Sequence, residues 1–335
     1  MVDDPSHTDM MLPAEFSRIS RYFAPLAHLS GAAGLLDDAA ILDIPSDQDL
    51  IVTNDSVVAG IHYRGDEPAN RVAQKLMRRN LSDLAAMGAS PHAYNLSFAI
   101  PAETPESWIA GFAQGLGEDQ RTYGLSLIGG DSLAVPCVSV LGMTMFGVVP
   151  KGRIISRKGA MAGDNIYCSG TIGDGFLGLK ASRGEFSELS NVQRETLITR
   201  YELPLPRLSL GIALRGIATA MIDISDGFMA DLNHICRVSG VGAHIETARI
   251  PFSSPAKEIL QHTPSLLSDI LTGGDDYELL FAAPPSMQDR ITVIAKELSL
   301  SITYVGRMRA EQKIQVVDPN HQPLSLKQRG YTHFD

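Results

Sequence analysis

Aspartates recur along this chain beside apolar runs and glycines, at spacings that would build a metal site. Asp37-Asp38 precede Ala39-Ala40-Ile41-Leu42, Asp55 closes Leu50-Ile51-Val52-Thr53-Asn54, and Asp83 lies in Asn80-Leu81-Ser82-Asp83. Asp131 ends Leu127-Ile128-Gly129-Gly130, Asp223 and Asp226 follow Ala220-Met221-Ile222, and Asp275-Asp276 follow Gly273-Gly274. Short apolar runs read as buried strands, so an acid at a run's end is expected on a sheet rim. Converging rims would form one basin of carboxylates. Two carboxylates about 4 Å apart repel by roughly 4 kcal/mol at an effective dielectric near 20, so such a basin stays ionised only around cations. Oxygen donors select hard ions, Mg²⁺ above all.

Each motif also has a plainer reading. Asp38 or Asp55 alone fits turn chemistry, because aspartate caps turns and helix ends. Taken as a set, with Thr53 and Asn54 adding oxygens beside Asp55, ligation is the stronger reading. Asn80 and Asp83, three apart on an expected helix, share a face that either looks into a site or ends the helix in water. Gly129-Gly130 lets backbone N–H groups approach an anion, with Asp131 holding the accompanying cation. Ser169-Gly170-Thr171-Ile172-Gly173-Asp174-Gly175 opens a helix and is either a phosphate cradle or a tight turn. Asp223-Ile224-Ser225-Asp226-Gly227 is either a shared metal-and-phosphate site or an N-cap cluster. Arg157 can neutralise a phosphate tail, and His62 is either structural or a ligand residue.

The elements that must position these residues follow from periodicity. Helices are expected over Glu15 to Phe23, Arg71 to Met87, Ser107 to Gln120, Asp174 to Ser182, Ser209 to Ala218, Gly227 to Ser239 and Arg290 to Leu298. In Ser107 to Gln120, Trp108, Phe112 and Leu116 repeat every four residues. Strands are expected over Ala39 to Ile44, Leu50 to Thr53, Tyr94 to Ile100, Leu125 to Ile128, Cys137 to Val149, Asn165 to Ser169, Ala243 to Ile250 and Leu279 to Ala283. Mixed strands and helices in both halves give an α/β class with mixed, α+β-type sheets. A break at Pro150-Lys151-Gly152 divides the chain into a disordered tail (1–14), an N-terminal domain (15–150) and a C-terminal α/β domain (151–335).

Composition narrows the function. The chain has 335 residues, 44% of them apolar and 20% charged, with a formal net charge of -10 and no basic stripe. That argues against a nucleic-acid partner. No apolar stretch reaches the ~18 residues of a membrane span. Cys137, Cys168 and Cys236 are far apart and the acidic N-terminus is not a signal peptide, so a cytoplasmic location is expected. The P-loop, protein-kinase, zincin and nucleophile-elbow motifs are all missing.

Read in order, Leu36-Asp37-Asp38-Ala39-Ala40, Thr53 to His62, Asn80 to Ala89, Gly129-Gly130-Asp131, Asp223 to Gly227 and Gly274-Asp275-Asp276-Tyr277-Glu278-Leu279 resemble the thiamine-monophosphate kinases, within the aminoimidazole-ribonucleotide-synthase-like superfamily. The resemblance runs from about Glu15 to Phe334. It implies a homodimer whose N-terminal strands pair across the subunits, and transfer of phosphate from ATP to thiamine monophosphate. It implies several Mg²⁺ ions on Asp38, Thr53, Asn54, Asp55, Asp83, Asp131, Asp223 and Asp226. It places ATP against Tyr123, Gly130, Asp131, Arg157 and Ser225, and the thiamine phosphate against His62, Asp275 and Tyr331. Three positions depart from the family pattern: Leu36 for Gly, Asn54 for Thr and Asp275 for Glu. The acceptor phosphate is already ionised near neutrality, so no general base is expected. Rival readings are another ATP-dependent reaction of the superfamily, such as purine-precursor ring closure or selenophosphate synthesis, or a nucleotide sensor without turnover.

Overall fold

Two sheets share one apolar core. The computed structural model describes residues 14–324, so Tyr331 and all but the last residue of the expected tail lie outside it. The first sheet holds β1 (Gln48–Val58), β2 (Ser90–Pro101), β3 (Ser126–Val135) and β4 (Val140–Pro150) in the order β1-β4-β2-β3. β2 and β3 run parallel, and the other pairs are antiparallel. Three helices accompany it: α1 (Ala14–Arg18), α2 (Ala69–Ala86) and α3 (Glu106–Tyr123). The second sheet, β5 (Asn165–Ser169), β6 (Ala220–Asp223), β7 (Gly242–Glu246), β8 (Leu279–Ala283), β9 (Ile302–Arg309) and β10 (Ile314–Val317), has the order β10-β7-β9-β5-β8-β6. Around it lie α4 (Asp174–Ser182), α5 (Asn191–Glu202), α6 (Leu208–Ala213), α7 (Phe228–Ser239), α8 (Ser254–His262), α9 (Leu267–Thr272) and α10 (Gln288–Glu297). The mixed α/β expectation holds.

α2 is the central element. Val72, Ala73, Leu76, Met77, Leu81 and Leu84 are buried at helical spacing. Gly88, in the left-handed region, ends the helix. One side of α2 covers β1, β2 and β4, and the other meets α5, α6 and β6. The core around it therefore runs continuously from Leu84, Met143 and Phe98 to Met221, Leu279, Phe281 and Ile294.

Several expectations are corrected. Ala39 to Ile44 forms no strand. Ala40 and Leu42 instead cover Ala32, Ala93, Ile128 and Phe146 on the sheet face away from the helices, while Ile41 stays exposed, so the run half-buries alternate residues without pairing at an edge. β1 continues past Asp55, and β3 continues through Gly129-Gly130-Asp131, so these acids are mid-strand and not on a rim. Gly130 suits a strand there because a Cβ would come within 2.1 Å of Leu96 O. The helix expected over Ser209 to Ala218 stops at Ala213, and the strand expected over Ala243 to Ile250 stops at Glu246. The helix expected to Phe23 passes into a π turn at Ile19. α5, α8, α9, β9 and β10 were not anticipated, although Ser190 and Gln193 form a capping box at the start of α5.

Candidate active site

The side chains that face each other across β1 and α2 form the centre. Thr53 Oγ1 donates to Asp83 Oδ2 at 2.5 Å. Asn80, fully buried, accepts from the Asp55 N–H at 3.0 Å and donates to Leu76 O at 2.9 Å. Arg79 Nε lies 3.2 Å from Asp55 Oδ2. Ser82, on the same helix, donates to Asp223 Oδ2 at 2.7 Å. β6 ends at Asp223, so the rim reading holds at this acid.

The electrostatics are those of acids crowded out of water. Burial pushes the Asp83 carboxyl up to about 7, the Asp223 charge adds to this, and the Thr53 hydroxyl works against it. Asp223 is likewise raised, by burial first, with Ser82 and Arg157 opposing. Arg157 thus acts on both acids. Beyond β6, the N–H groups of Ser225, Asp226 and Gly227 all donate to Asp231 Oδ2 at 3.1 Å. That single carboxylate shapes the loop. Burial, then Asp223 and Asp226, raise it to about 8. Oxygens of Asp226 and Asp231 and a nitrogen of His234 lie within 4.8 Å of one another. Sequence reasoning missed Asp231. Its one signal was an acid in the first turn of a helix that follows a glycine.

The expected ligands do not form one basin within the chain. Strand pairing aligns Asn54 with Thr144 and Asn95, and Asp131 with Ser97, whereas Asp55 aligns with Met143 and Leu96. Side chains alternate along a strand, so Thr53 and Asp55 face α2 while Asn54 and Asp131 face the opposite side. There Asn54 Nδ2 donates to Thr144 Oγ1 at 2.9 Å. Asp38, Asn95, Gly130 and Asp131 line a cavity of about 650 Å³ on that side. Tyr123, at the end of α3, has Arg78, Asp119 and Arg207 as charged neighbours and joins neither set.

A third group lies beyond Arg79. His62 Nδ1 accepts from the Val58 N–H at 3.1 Å, and His62 O accepts from the Tyr201 hydroxyl at 3.2 Å. Asp275 accepts from the Tyr277 hydroxyl at 2.9 Å, and its N–H donates to Ser225 O. Burial alone would raise the Asp275 carboxyl, but Lys75, Arg79 and Tyr277 outweigh it and hold it below the usual range. The neighbouring Asp276 accepts from Gly173 N (2.7 Å) and Gly175 N (3.0 Å). Those donors are therefore taken, and the glycine-rich loop is the tight turn rather than an open phosphate cradle. Glu278, fully buried, receives Ser169, Arg200 and Arg207.

Comparison with known proteins bears on what this arrangement serves. Residues 36–149 match the family model for the N-terminal domain of AIR synthase related proteins, and residues 161–319 match that for the C-terminal domain. The thiamine-monophosphate kinase of Escherichia coli K12 is 37% identical over 326 residues, covering 97% of this chain and 99% of that protein. The chain belongs to the thiamine-monophosphate kinase family. The crystal structure of the thiamine-monophosphate kinase from Stenotrophomonas maltophilia is similar at 36% identity and a TM-score of 0.79, over 84% of this chain and 89% of that one. The structure of AaThiL complexed with AMPPCP and TMP is 27% identical with a TM-score of 0.76, over 89% and 91%. Among the described residues, no helix is long and apolar enough to cross a membrane.

Proposed function

We infer that the protein transfers a phosphoryl group from ATP to thiamine monophosphate, giving thiamine diphosphate and ADP. The observation that carries this reading is the convergence of Thr53, Asp55, Asp83 and Asp223 where α2 crosses β1 and meets β6. Near-full-length likeness to thiamine-monophosphate kinases, and a related structure that holds AMPPCP and TMP together, support it.

The donor set fits magnesium. It offers hydroxyl and carboxylate oxygens, and Arg79 and Arg157 offset only part of its charge. Thr53, Asp55, Asp83, Asp223 and Asp226 would hold the ions, which when bound supply positive charge that neutralises both the carboxylates and the phosphates. The chain's own residues do the rest. Asn80 fixes the β1 backbone at Asp55, and Ser82 orients Asp223. Asp231 holds the Ser225–Gly227 N–H groups in one arc, which places Ser225 and Asp226 beside Asp223. Arg157 carries a positive charge to the same place, suited to a nucleotide phosphate. His62 and Asp275 face the acceptor, and the Asp275 carboxylate suits its positively charged ring. The acceptor oxygen needs no base, so catalysis rests on position and charge. Transfer is direct, and trapping a phosphorylated residue during turnover would overturn that.

Asp38, Gly130 and Asp131 need a second role, because the sheet separates them from this centre. Their face also exposes Leu50, Val52, Leu133 and Val140. Exposed apolar residues on a sheet face suit association. A homodimer packed on this face would set the second group at the subunit junction, beside the partner's copy of the same residues. The direct test of the activity is incubation with Mg-ATP and a panel of phosphorylated acceptors, with products identified by mass spectrometry. Thiamine diphosphate and ADP formed together, with no other acceptor phosphorylated, support the reading, and the absence of thiamine diphosphate under all conditions refutes it.

A further inference from the structure

Lys75 is an anomaly on α2. A lysine on a helix ordinarily extends its stem over apolar surface and leaves its ammonium in water. Here the side chain is only 3% exposed and, among the described residues, Nζ makes no hydrogen bond. The ammonium lies 3.3 Å from the centre of the Tyr201 ring and 3.6 Å from Asp275 Oδ2. Burial pushes the amine down to about 8, with the Asp275 charge opposing and Arg79 adding to the fall. Packing alone does not call for this group, since an apolar side chain of similar volume would fill the space without stripping an ion of water.

The carboxylate it meets is itself held under strain. Asp275 and Tyr277 both adopt positive φ, at 69° and 52°, a region that ordinary side chains seldom enter. Their backbone N–H groups are tied to Ser225 O and Ile224 O, and the Tyr277 hydroxyl grips Asp275 Oδ1. Strained backbone of this kind persists where the surroundings over-determine it, and it concentrates at ligand clamps. Asp275 keeps 27% of its side chain exposed, whereas Lys75 is closed off. Of the pair, Asp275 is therefore the one that offers surface to a ligand.

We propose that Lys75 is a positioning residue for substrate recognition: its sealed ammonium, backed by the Tyr201 ring, aims the Asp275 carboxylate at the positively charged ring of the phosphorylated acceptor. The proposal rests on the assignment of Asp275 to the acceptor site made above. It also accounts for the one-methylene-shorter acid, because the shorter side chain is held on both oxygens, by Lys75 on one and Tyr277 on the other.

Steady-state kinetics on Lys75→Met, Asp275→Asn and the double variant test it, with Lys75→Gln as a second neutral replacement should the first fold poorly. Each single variant is expected to raise KM for thiamine monophosphate about tenfold or more while KM for ATP and kcat stay within about threefold. The double variant is expected to be no worse than the more damaging single, because the two act along one path. Lys75→Arg, which keeps the charge, recovers part of the loss. A Lys75 variant that weakens ATP and acceptor alike, or whose loss adds fully to that of Asp275→Asn, overturns the proposal in favour of packing. Unchanged acceptor KM in Asp275→Asn removes the acceptor-site assignment and the proposal with it. Weak acceptor binding in Asp275→Asn beside normal binding in both neutral Lys75 variants removes only the role of Lys75.

Discussion

Replacing Asp83 by asparagine should make the metal-free protein more stable at alkaline pH and the enzyme inactive. In the folded chain the carboxyl ionises only near 7, against an ordinary 3.8, with burial and then Asp223 as the causes. A carboxyl raised in this way binds its proton more tightly folded than unfolded. Stability is therefore greatest in acid and is lost as pH climbs from about 4 through about 7. Each pH unit in that window is worth about 1.4 kcal/mol, so ionising Asp83 costs the folded state about 4 kcal/mol in full, of which between 2 and 3 falls between pH 5 and 8. The asparagine carries no such charge and can still accept from Thr53. Thermal melts in a chelator should show the wild type losing about 5 °C more than Asp83→Asn over that pH interval, at roughly 2 °C per kcal/mol for a chain of this size. Millimolar Mg²⁺ should restore the wild type at pH 8 and do little for the variant. Parallel pH profiles, or equal magnesium stabilisation of both proteins, would refute the reasoning.

Other outcomes follow from the same geometry. Thr53→Val removes the hydroxyl that meets Asp83 and should raise the Mg²⁺ concentration needed for half-maximal rate about fivefold, the worth of roughly 1 kcal/mol, by titration of initial rates. Glu278→Gln should destabilise by about 3–5 kcal/mol in denaturant melts, because Arg200 and Arg207 lose their buried counter-charge. A Cβ at Gly211 would approach Ala85 O to 2.0 Å, so Gly211→Ala should shift α2 against α6, lower stability by about 1–3 kcal/mol and reduce kcat. If Asp131 serves the partner's site, Asp83→Asn and Asp131→Asn homodimers should both be inactive, while co-refolded mixtures regain activity through the dimers that carry one intact site. Mixtures as inactive as their components would count against a shared site.

Much of the chemistry was legible and its placement was not. The spacing of Asn80 and Asp83 put both on one helical face, and that face does meet β1. Asp223 closes an apolar run, and the run is a strand with the acid at its end. Asp55 and Asp131 looked the same in sequence. Their strands continue past them, and only the register with β2 and β4 reveals that they point to opposite sides. Register depends on long-range pairing, on which local periodicity is silent. Ala39 to Ile44 misled because an apolar run can lie flat over a sheet as readily as join its edge. The roles of Asp231, Asp276 and Lys75 were illegible for a related reason. Asp276 and Lys75 act on groups far away in sequence, Asp231 folds back on the loop before its own helix, and a lone charged residue in a helix or turn ordinarily marks a solvated face.

The apolar cluster that joins α2 to Met221, Phe281 and Ile294 also bears on how the polypeptide matures. When residue 150 leaves the ribosome, the outer flank of α2 has nothing to lie against, and the strand that completes it ends only at Ala283. At translation speeds of about 5–20 residues per second, that interval lasts on the order of 10 s. Over that time the nascent chain presents bare leucine and methionine, an invitation to chaperones or to aggregation. Severing the gene near the middle would make the exposure permanent, so separately expressed halves should be recovered mainly as insoluble material.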